Sequence, residues 1–198
     1  ISSLTESKDA AGPLIKILKT YGINGTGHVW EDNLDQMSWM GPRDELLNPE
    51  TGLWIILAQN VMLEKETVRY GLSVLTLTVK ASRGASLPII IVSAEDAPPS
   101  LGDLPTPLNG LEWLSLKDAS LGPKLVAMMH KKPGPPPSDY HIDVYGTPQI
   151  GQWFEVGPEE ETWSGALFGV DRGEIVFHAA APRGRLPERA TMEYAIKG

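Results

Sequence analysis

The chain has 198 residues, of which 41% are apolar, and it carries 17 basic and 25 acidic side chains but no cysteine. The missing cysteines exclude disulfide scaffolds, cysteine-ligated zinc, iron–sulfur clusters and thiol nucleophiles. The formal charge of −8 argues against a nucleic-acid partner, because such a surface must be basic. No apolar run is long enough to span a bilayer, and the N-terminus lacks the features of a secretory signal. We therefore expect a cytoplasmic protein without membrane insertion.

The first 130 residues alternate between strand-like and helical patterns. Leu14, Ile17 and Leu18 lie on one helical stripe, and the apolar run at 53–58 is typical of a strand buried on both faces. In chain order, we predict a helix at 9–21, strands at 28–30 and 53–58, a helix at 64–80, strands at 87–92 and 111–114, and a helix at 117–130. This alternation predicts an α/β fold with a mostly parallel, doubly wound sheet that helices cover on both sides.

A proline-rich stretch at 131–139 separates this half from the rest of the chain. Consecutive prolines fix φ and remove backbone donors, so the stretch should be an extended linker. We predict an α/β domain over 1–130 and a small antiparallel β module over 140–198. Short strands are predicted at 141–145, 152–156, 166–170, 174–178 and 192–196, with a hairpin turn at 170–174.

A β module of this size is marginal alone, so we expect it either to pack on the first half or to continue past Gly198. An alternative is that the module itself binds a carbohydrate or a peptide. Trp153 and Trp163 could stack on such a ligand, although two tryptophans in a small sheet more often form its core.

Several familiar chemical motifs are missing. The chain has no G-x-x-x-x-G-K-[ST] loop and no G-x-S-x-G elbow. The glycine-rich run at 22–27 follows a predicted helix rather than a strand, so it is better explained as a turn. His28, Glu31, Asp32 and Asp35 are the one candidate metal cluster, and a solvated loop explains them more simply. We therefore predict no metal site.

The order of segments resembles that of Toll/interleukin-1 receptor (TIR) domains. The residues at 1–9 followed by an amphipathic helix are similar to the family's opening, in which a Ser/Lys/Asp loop leads into the first helix. By this alignment the first strand would lie mostly before Ile1. The acidic loop at 31–42 is similar to the long loop that TIR domains use for assembly and ligand access. The segments at 55–60 and 68–72 look like the family's strand and its Trp-Cys-x-x-Glu-Leu helix.

The resemblance also contains a departure. Enzymatic TIR domains cleave the nicotinamide–ribose bond of NAD with one glutamate in that helix, and here the matching position holds Gly71. Glycine offers no group for acid–base or electrostatic catalysis. Glu64 and Glu66 lie one to two turns earlier and could replace the missing acid only in a shifted register.

We therefore expect a non-catalytic TIR-like signalling or assembly module. It would bind a protein partner, a second copy of itself or a nucleotide through its cleft and through the loop at 31–42. The alternative is an NAD glycohydrolase or a related nucleotide-hydrolysing enzyme. No cofactor is expected, and NAD would enter only as a ligand or substrate. The candidate ligand-binding residues are Ser3, Trp30, Trp39, Arg43, Asn60, Glu64 and Glu66.

Overall fold

The computed structural model describes residues 1–7, 9–95, 104–130, 140–149, 151–160, 162–169, 175 and 177–185. The predicted linker at 131–139, the predicted turn at 170–174 and the predicted strand at 192–196 lie outside these residues. Within them, no helix combines the length and the apolar character that crossing a bilayer would require.

Five parallel strands form the central sheet. They are β1 (Ser2–Leu4), β2 (His28–Val29), β3 (Trp54–Ala58), β4 (Ile89–Ser93) and β5 (Glu112–Ser115). Their order across the sheet is β2-β1-β3-β4-β5. This is the flavodoxin-like order of a doubly wound sheet. The predicted α/β class and the parallel pairing are confirmed.

The helices cover both faces of the sheet. They are α1 (Ala11–Thr20), α2 (Arg43–Leu47), α3 (Asn60–Leu63), α4 (Glu66–Arg83) and α5 (Leu121–His130). Ile55 and Leu57 of β3 pack in one core with α1 and α5. Trp54 and Ile56 of the same strand pack in a second core with α4. Successive side chains of a strand point to opposite faces, so a continuous apolar run supplies both cores.

Helix α4 is the most deeply packed helix on its side of the sheet. Its stripe of Val68, Leu72, Leu75 and Val79 is almost completely buried. The helix begins two residues later and ends three residues later than the predicted 64–80, and the C-cap residue Gly84 adopts a positive φ of 52°. Glycine adopts this conformation without the steric cost that a Cβ atom adds.

The first strand corrects one expectation from the TIR resemblance. It lies at Ser2–Leu4 and pairs with both β2 and β3, rather than lying mostly before Ile1. The indole Nε1 of Trp54 donates a hydrogen bond of 2.9 Å to Oγ of Ser2. This bond satisfies two polar groups that would otherwise be costly to bury.

The second sheet is a single antiparallel hairpin. It consists of β6 (Tyr140–Thr147) and β7 (Gly151–Pro158), with Tyr145 opposite Trp153. Two of the predicted short strands are thus confirmed. The prediction of a strand at 166–170 is wrong for its described residues, 166–169, which are exposed and have no regular structure. Residues 175, 177 and 178 also lie in no strand, so the described part of the module is smaller than predicted.

The hairpin packs on α4, as the sequence led us to expect. Val144 of β6 is completely buried in the core that α4 forms with the sheet. Nearby, Nε2 of Gln152 donates a hydrogen bond of 2.7 Å to the hydroxyl oxygen of Tyr70 in α4. The two sheets therefore share no strand pairing, but both of them pack against α4.

Candidate functional site

The strand order indicates where a ligand would enter. In doubly wound sheets, ligands bind outside the carboxyl ends of the strands, where neighbouring strands lead to helices on opposite faces. Here that point lies between β1, which leads to α1, and β3, which leads to α3 and α4. We define the switch-point crevice as the residues that follow these two strands: Thr5, Glu6, Ser7, Gln59 and Asn60.

Hydroxyl groups order the β1 side of the switch-point crevice. Oγ1 of Thr5 donates to the carbonyl oxygen of Ser7 at 2.8 Å and lies 3.0 Å from Oγ of Ser3. Since the Thr5 proton is used on Ser7, the Ser3 hydroxyl is the donor in the second bond. Ser3 is only 3% exposed. Its role in the structure is to hold the turn after β1.

Gln59 ties the two sides of the switch-point crevice together. Its backbone N–H donates to the carbonyl oxygen of Leu4 at 3.1 Å, and its side-chain Oε1 accepts from the N–H of Glu6 at 2.9 Å. Asn60 begins α3 beside it and is half-buried. Hydrogen bonds within the protein therefore join the two sides of the crevice, and Asn60 lies next to them in the chain.

The rim around the crevice is acidic. Among the described residues that follow the strands, acidic side chains outnumber basic ones: Glu6, Asp9, Glu31, Asp32, Asp35, Glu64, Glu66 and Glu95 against Lys65 and Lys117, while Asp118 is paired with Lys124. Hydrogen bonds from Lys124 and Ser120 hold the pKa of the Asp118 carboxyl well below its usual range. An edge of this charge repels a phosphate group and attracts a basic surface.

The segment at 31–42 has two unlike halves. Residues 31–36 are mostly exposed, and Oδ2 of Asp32 accepts a hydrogen bond of 2.9 Å from Oγ1 of Thr67 at the start of α4. The second half forms a 3₁₀ helix, Ser38–Met40, that follows Met37 with its left-handed φ of 48°. Trp39 is only 2% exposed, so the structure places it in the core rather than on an open loop. Most of the exposed surface of this segment therefore lies at 31–36.

Gly71 in α4 packs closely against two tryptophan side chains. An ideal Cβ atom on Gly71 would lie 2.9 Å from Cζ2 of Trp30 and 3.1 Å from Cβ of Trp39. Both indoles are buried beside α4, and they fill the space that a longer side chain would need. The glycine is thus explained by close packing, and a glutamate at this position would point into the core.

The candidate residues from the sequence do not form one site. Ser3, Asn60, Glu64 and Glu66 lie at the carboxyl edge, and both glutamates are exposed. Trp30 and Trp39 are core residues. The last candidate, Arg43, lies at the start of α2, with its Nη1 3.5 Å from Oδ1 of Asp44.

A second concave feature of the surface lies on the hairpin, around Tyr145. Burial and the nearby Asp143 carboxylate raise the pKa of Tyr145 to about 12, and the Arg43 charge acts in the opposite sense. Arg43 itself is not among the residues that line this feature. Of the lining residues, the sequence predicted only Trp153 as a ligand contact.

That feature is a pocket of about 240 Å³ on the hairpin. It is lined by Tyr145, Gly146, Thr147, Trp153, Glu155, Gly184 and Arg185. Part of the signal was present in the sequence, because Trp153 lies on a predicted strand of the β module and is a candidate for stacking on a ligand. The pairing of β6 with β7 and the return of residues 183–185 over them could not be read from periodicity.

Comparison with known proteins gives no relative. No protein-family model, no curated protein and no solved structure matches this chain. In the described part of the chain, no group of three or more histidine, aspartate or glutamate side chains is placed to hold a metal ion. The resemblance to TIR domains consequently remains a prediction from the residues.

Proposed function

We propose that this chain is a non-catalytic signalling or assembly module, similar to TIR domains, that works in the cytoplasm. It binds a protein partner through a surface that we call the acidic edge, which consists of residues 31–36 and 64–67. The observation that carries the proposal is the packing of Gly71 against Trp30 and Trp39. In the TIR alignment this is the position of the catalytic glutamate, and here two indoles fill its surroundings.

The neighbouring acids do not replace the missing glutamate well. Glu64 and Glu66 are exposed, whereas a catalytic carboxylate is usually held in a cleft that excludes water and tunes its pKa. Negative side chains at the start of a helix are favoured by the helix dipole. The position of Glu66 in the first turn of α4 is therefore explained by the stability of that helix, whereas Glu64 is the C-cap residue of α3.

The charge of the acidic edge favours a protein partner over a nucleotide. Glu31, Asp32 and Asp35 are exposed on one side, and Glu64 and Glu66 are exposed on the other. The hydrogen bond between the side chains of Thr67 and Asp32 joins the two sides. A preordered surface loses less entropy on binding, and its charge selects a partner whose contacting face is basic.

Self-association provides the test, because a second copy can present exposed basic side chains such as Lys16 and Lys19 of α1 to the acidic edge. We expect the protein to form dimers or larger species in sedimentation velocity experiments, and we expect these species to dissociate as the salt concentration rises. The double variant Glu31→Gln/Asp35→Asn removes two charges of the acidic edge with almost no change in shape, so it should shift the population toward the monomer.

The matched control is the double variant Glu50→Gln/Glu160→Gln. It removes the same number of charges from exposed positions outside the acidic edge. We expect it to associate like the original protein. A protein that stays monomeric at low salt, or one in which both double variants dissociate equally, would contradict assembly through this surface.

The strand order favours a second candidate function, nucleotide binding. The switch-point crevice lies where doubly wound sheets bind nucleotides, and the exposed Ser7 side chain lies there. NAD cleavage is the catalytic form of this candidate, with Glu64 or Glu66 as the acid. Calorimetric titration with NAD would detect such binding, and an absence of heat at millimolar NAD would remove this candidate.

A further inference from the structure

The outer face of the hairpin presents a line of polar and aromatic side chains away from α4. Residues 141, 143 and 145 of β6 lie directly opposite residues 157, 155 and 153 of β7. Because side chains alternate along a strand, all of them share the face opposite to Val144, which is buried toward α4. Tyr145 and Trp153 form an adjacent aromatic pair on this face, and Asp143 and Glu155 form an adjacent acidic pair.

A returning segment of the chain closes one side of this face. The backbone N–H of Gly184 donates to Oε1 and Oε2 of Glu155 at 3.1 and 3.0 Å. Nη1 of Arg183 donates to Oε2 of Glu159 at 2.6 Å. Below them, Nε2 of the buried His141 lies 3.2 Å from Oε1 of Glu155. Side chains of the hairpin thus anchor residues 183 and 184 and create the pocket of about 240 Å³.

We propose that this pocket binds a single neutral sugar ring. Its aromatic floor, Tyr145 and Trp153, offers apolar surface of the kind on which the C–H face of a sugar can stack. Its border offers a donor in the Arg185 guanidinium, an acceptor in the Glu155 carboxylate and a hydroxyl in Thr147 that is both. Sugar hydroxyls are themselves donors and acceptors, so they match this mixed border.

The size of the pocket limits the ligand to one ring. Pockets for drug-sized ligands have volumes of about 300–1,000 Å³, and this one is smaller. A single six-membered ring with its hydroxyl groups suits the volume. A longer saccharide would have to extend past the Thr147 side, which is open to solvent.

The charges of the pocket favour a neutral ligand. Arg185 would repel a cationic side chain, and Glu155 would repel a carboxylate or a phosphate. Phe177 already lies against Trp153, with ring centroids 6.4 Å apart and planes tilted by 38°. The aromatic surface that remains is a single floor. A nucleobase can also stack on one aromatic face, so adenosine is the competing ligand that the experiment must separate from a sugar.

Saturation-transfer NMR on the full chain tests this proposal. The probes are methyl glucoside, methyl galactoside and N-acetylglucosamine, with adenosine and N-acetyl-lysine amide as the competing ligand classes. We expect at least one sugar to bind with a millimolar dissociation constant, and we expect Trp153→Ala to weaken that binding by about tenfold or more, which corresponds to about 1.4 kcal/mol. The matched control is Trp163→Ala, because Trp163 is 41% exposed and does not line the pocket.

Two variants on the pocket border keep the test valid if Trp153→Ala unfolds the hairpin. Thr147→Val and Arg185→Met remove polar groups from exposed side chains, so the fold should tolerate them. Each should weaken sugar binding severalfold. The proposal is overturned if none of the sugars binds, if only adenosine or the lysine amide binds, or if sugar binding is the same in all pocket variants and in Trp163→Ala.

Discussion

Gly71 in α4 lies so close to Trp30 that a Cβ atom on Gly71 would come within 2.9 Å of Cζ2 of the indole. Real Cβ atoms essentially never approach another heavy atom so closely, and Trp30 is itself held in the core. The missing side chain at position 71 is therefore a packing requirement.

This packing predicts that Gly71→Ala destabilises the protein. Alanine is favoured over glycine in a helix by about 1 kcal/mol, but overpacking a buried site costs about 1–3 kcal/mol. Because neither Trp30 nor Trp39 can move freely, we expect the second effect to dominate. Urea unfolding followed by circular dichroism would measure the loss of free energy.

Gly12 in α1 provides the matched control, because its ideal Cβ atom would have no heavy atom within 4 Å. Gly12→Ala should leave the free energy of unfolding unchanged or raise it by up to about 1 kcal/mol. If Gly71→Ala were as stable as Gly12→Ala, the contact with Trp30 would not be what excludes a side chain at position 71.

The hairpin should unfold together with α4. Val144→Ala removes two methyl groups from a completely buried site, and we expect a loss of about 1–3 kcal/mol in the free energy of unfolding. The control Val61→Ala changes a side chain that is 47% exposed and should cost much less. Equal effects of the two substitutions, or a separate early transition for the hairpin, would show that β6 does not pack firmly on α4.

Arg83 should stabilise the segment between α2 and β3. Its Nη1 donates to the carbonyl oxygens of Leu46 and Asn48 at 3.0 and 2.5 Å. Its Nη2 donates to that of Thr51 at 3.0 Å. Arg83→Met keeps the aliphatic stem but leaves these carbonyls without the donor, so we expect a loss of about 1–3 kcal/mol. Lys19→Met, on the exposed side of α1, should change the unfolding free energy little, and a similar loss there would contradict this role.

Asp118 should make stability depend on acid pH. Hydrogen bonds from Lys124 and Ser120 lower the pKa of its carboxyl in the folded state. A carboxyl with a lowered pKa contributes its stability above the unfolded pKa of about 3.9, and that contribution is lost as the pH falls further toward the folded pKa. The stability difference between the original protein and Asp118→Asn should therefore be constant from neutral pH down to about pH 5 and shrink below about pH 4. Urea unfolding of both proteins at several pH values across this range would measure the stability difference. A difference that stays constant below about pH 4 would contradict the role of these hydrogen bonds.

The parallel sheet could be predicted because its strands and helices have different periods. The apolar runs near 53–58 and 87–92 are long enough to be recognised as strands buried on both faces. Strand β1 offers no such run, since its three residues include two serines. Its burial comes from its neighbours and from the bond between Ser2 and Trp54, which link residues far apart in the chain.

The candidate site was harder to predict for a similar reason. Trp39 follows polar residues and precedes a Gly-Pro pair, which is a local pattern of an exposed loop. It is buried because α4 offers a glycine at the matching position, a relationship that local sequence does not contain. The hairpin pocket likewise depends on residues 183–185 returning to Glu155.

The most direct test of the non-catalytic proposal is incubation of the full chain with NAD, followed by chromatographic measurement of free nicotinamide. The variants Glu64→Gln and Glu66→Gln are measured in parallel. We predict that the original protein releases no more nicotinamide than a blank without protein, and that the variants do not differ from it. Sustained release that disappears in either variant would show that a carboxylate at the start of α4 cleaves NAD, and the proposal would be wrong.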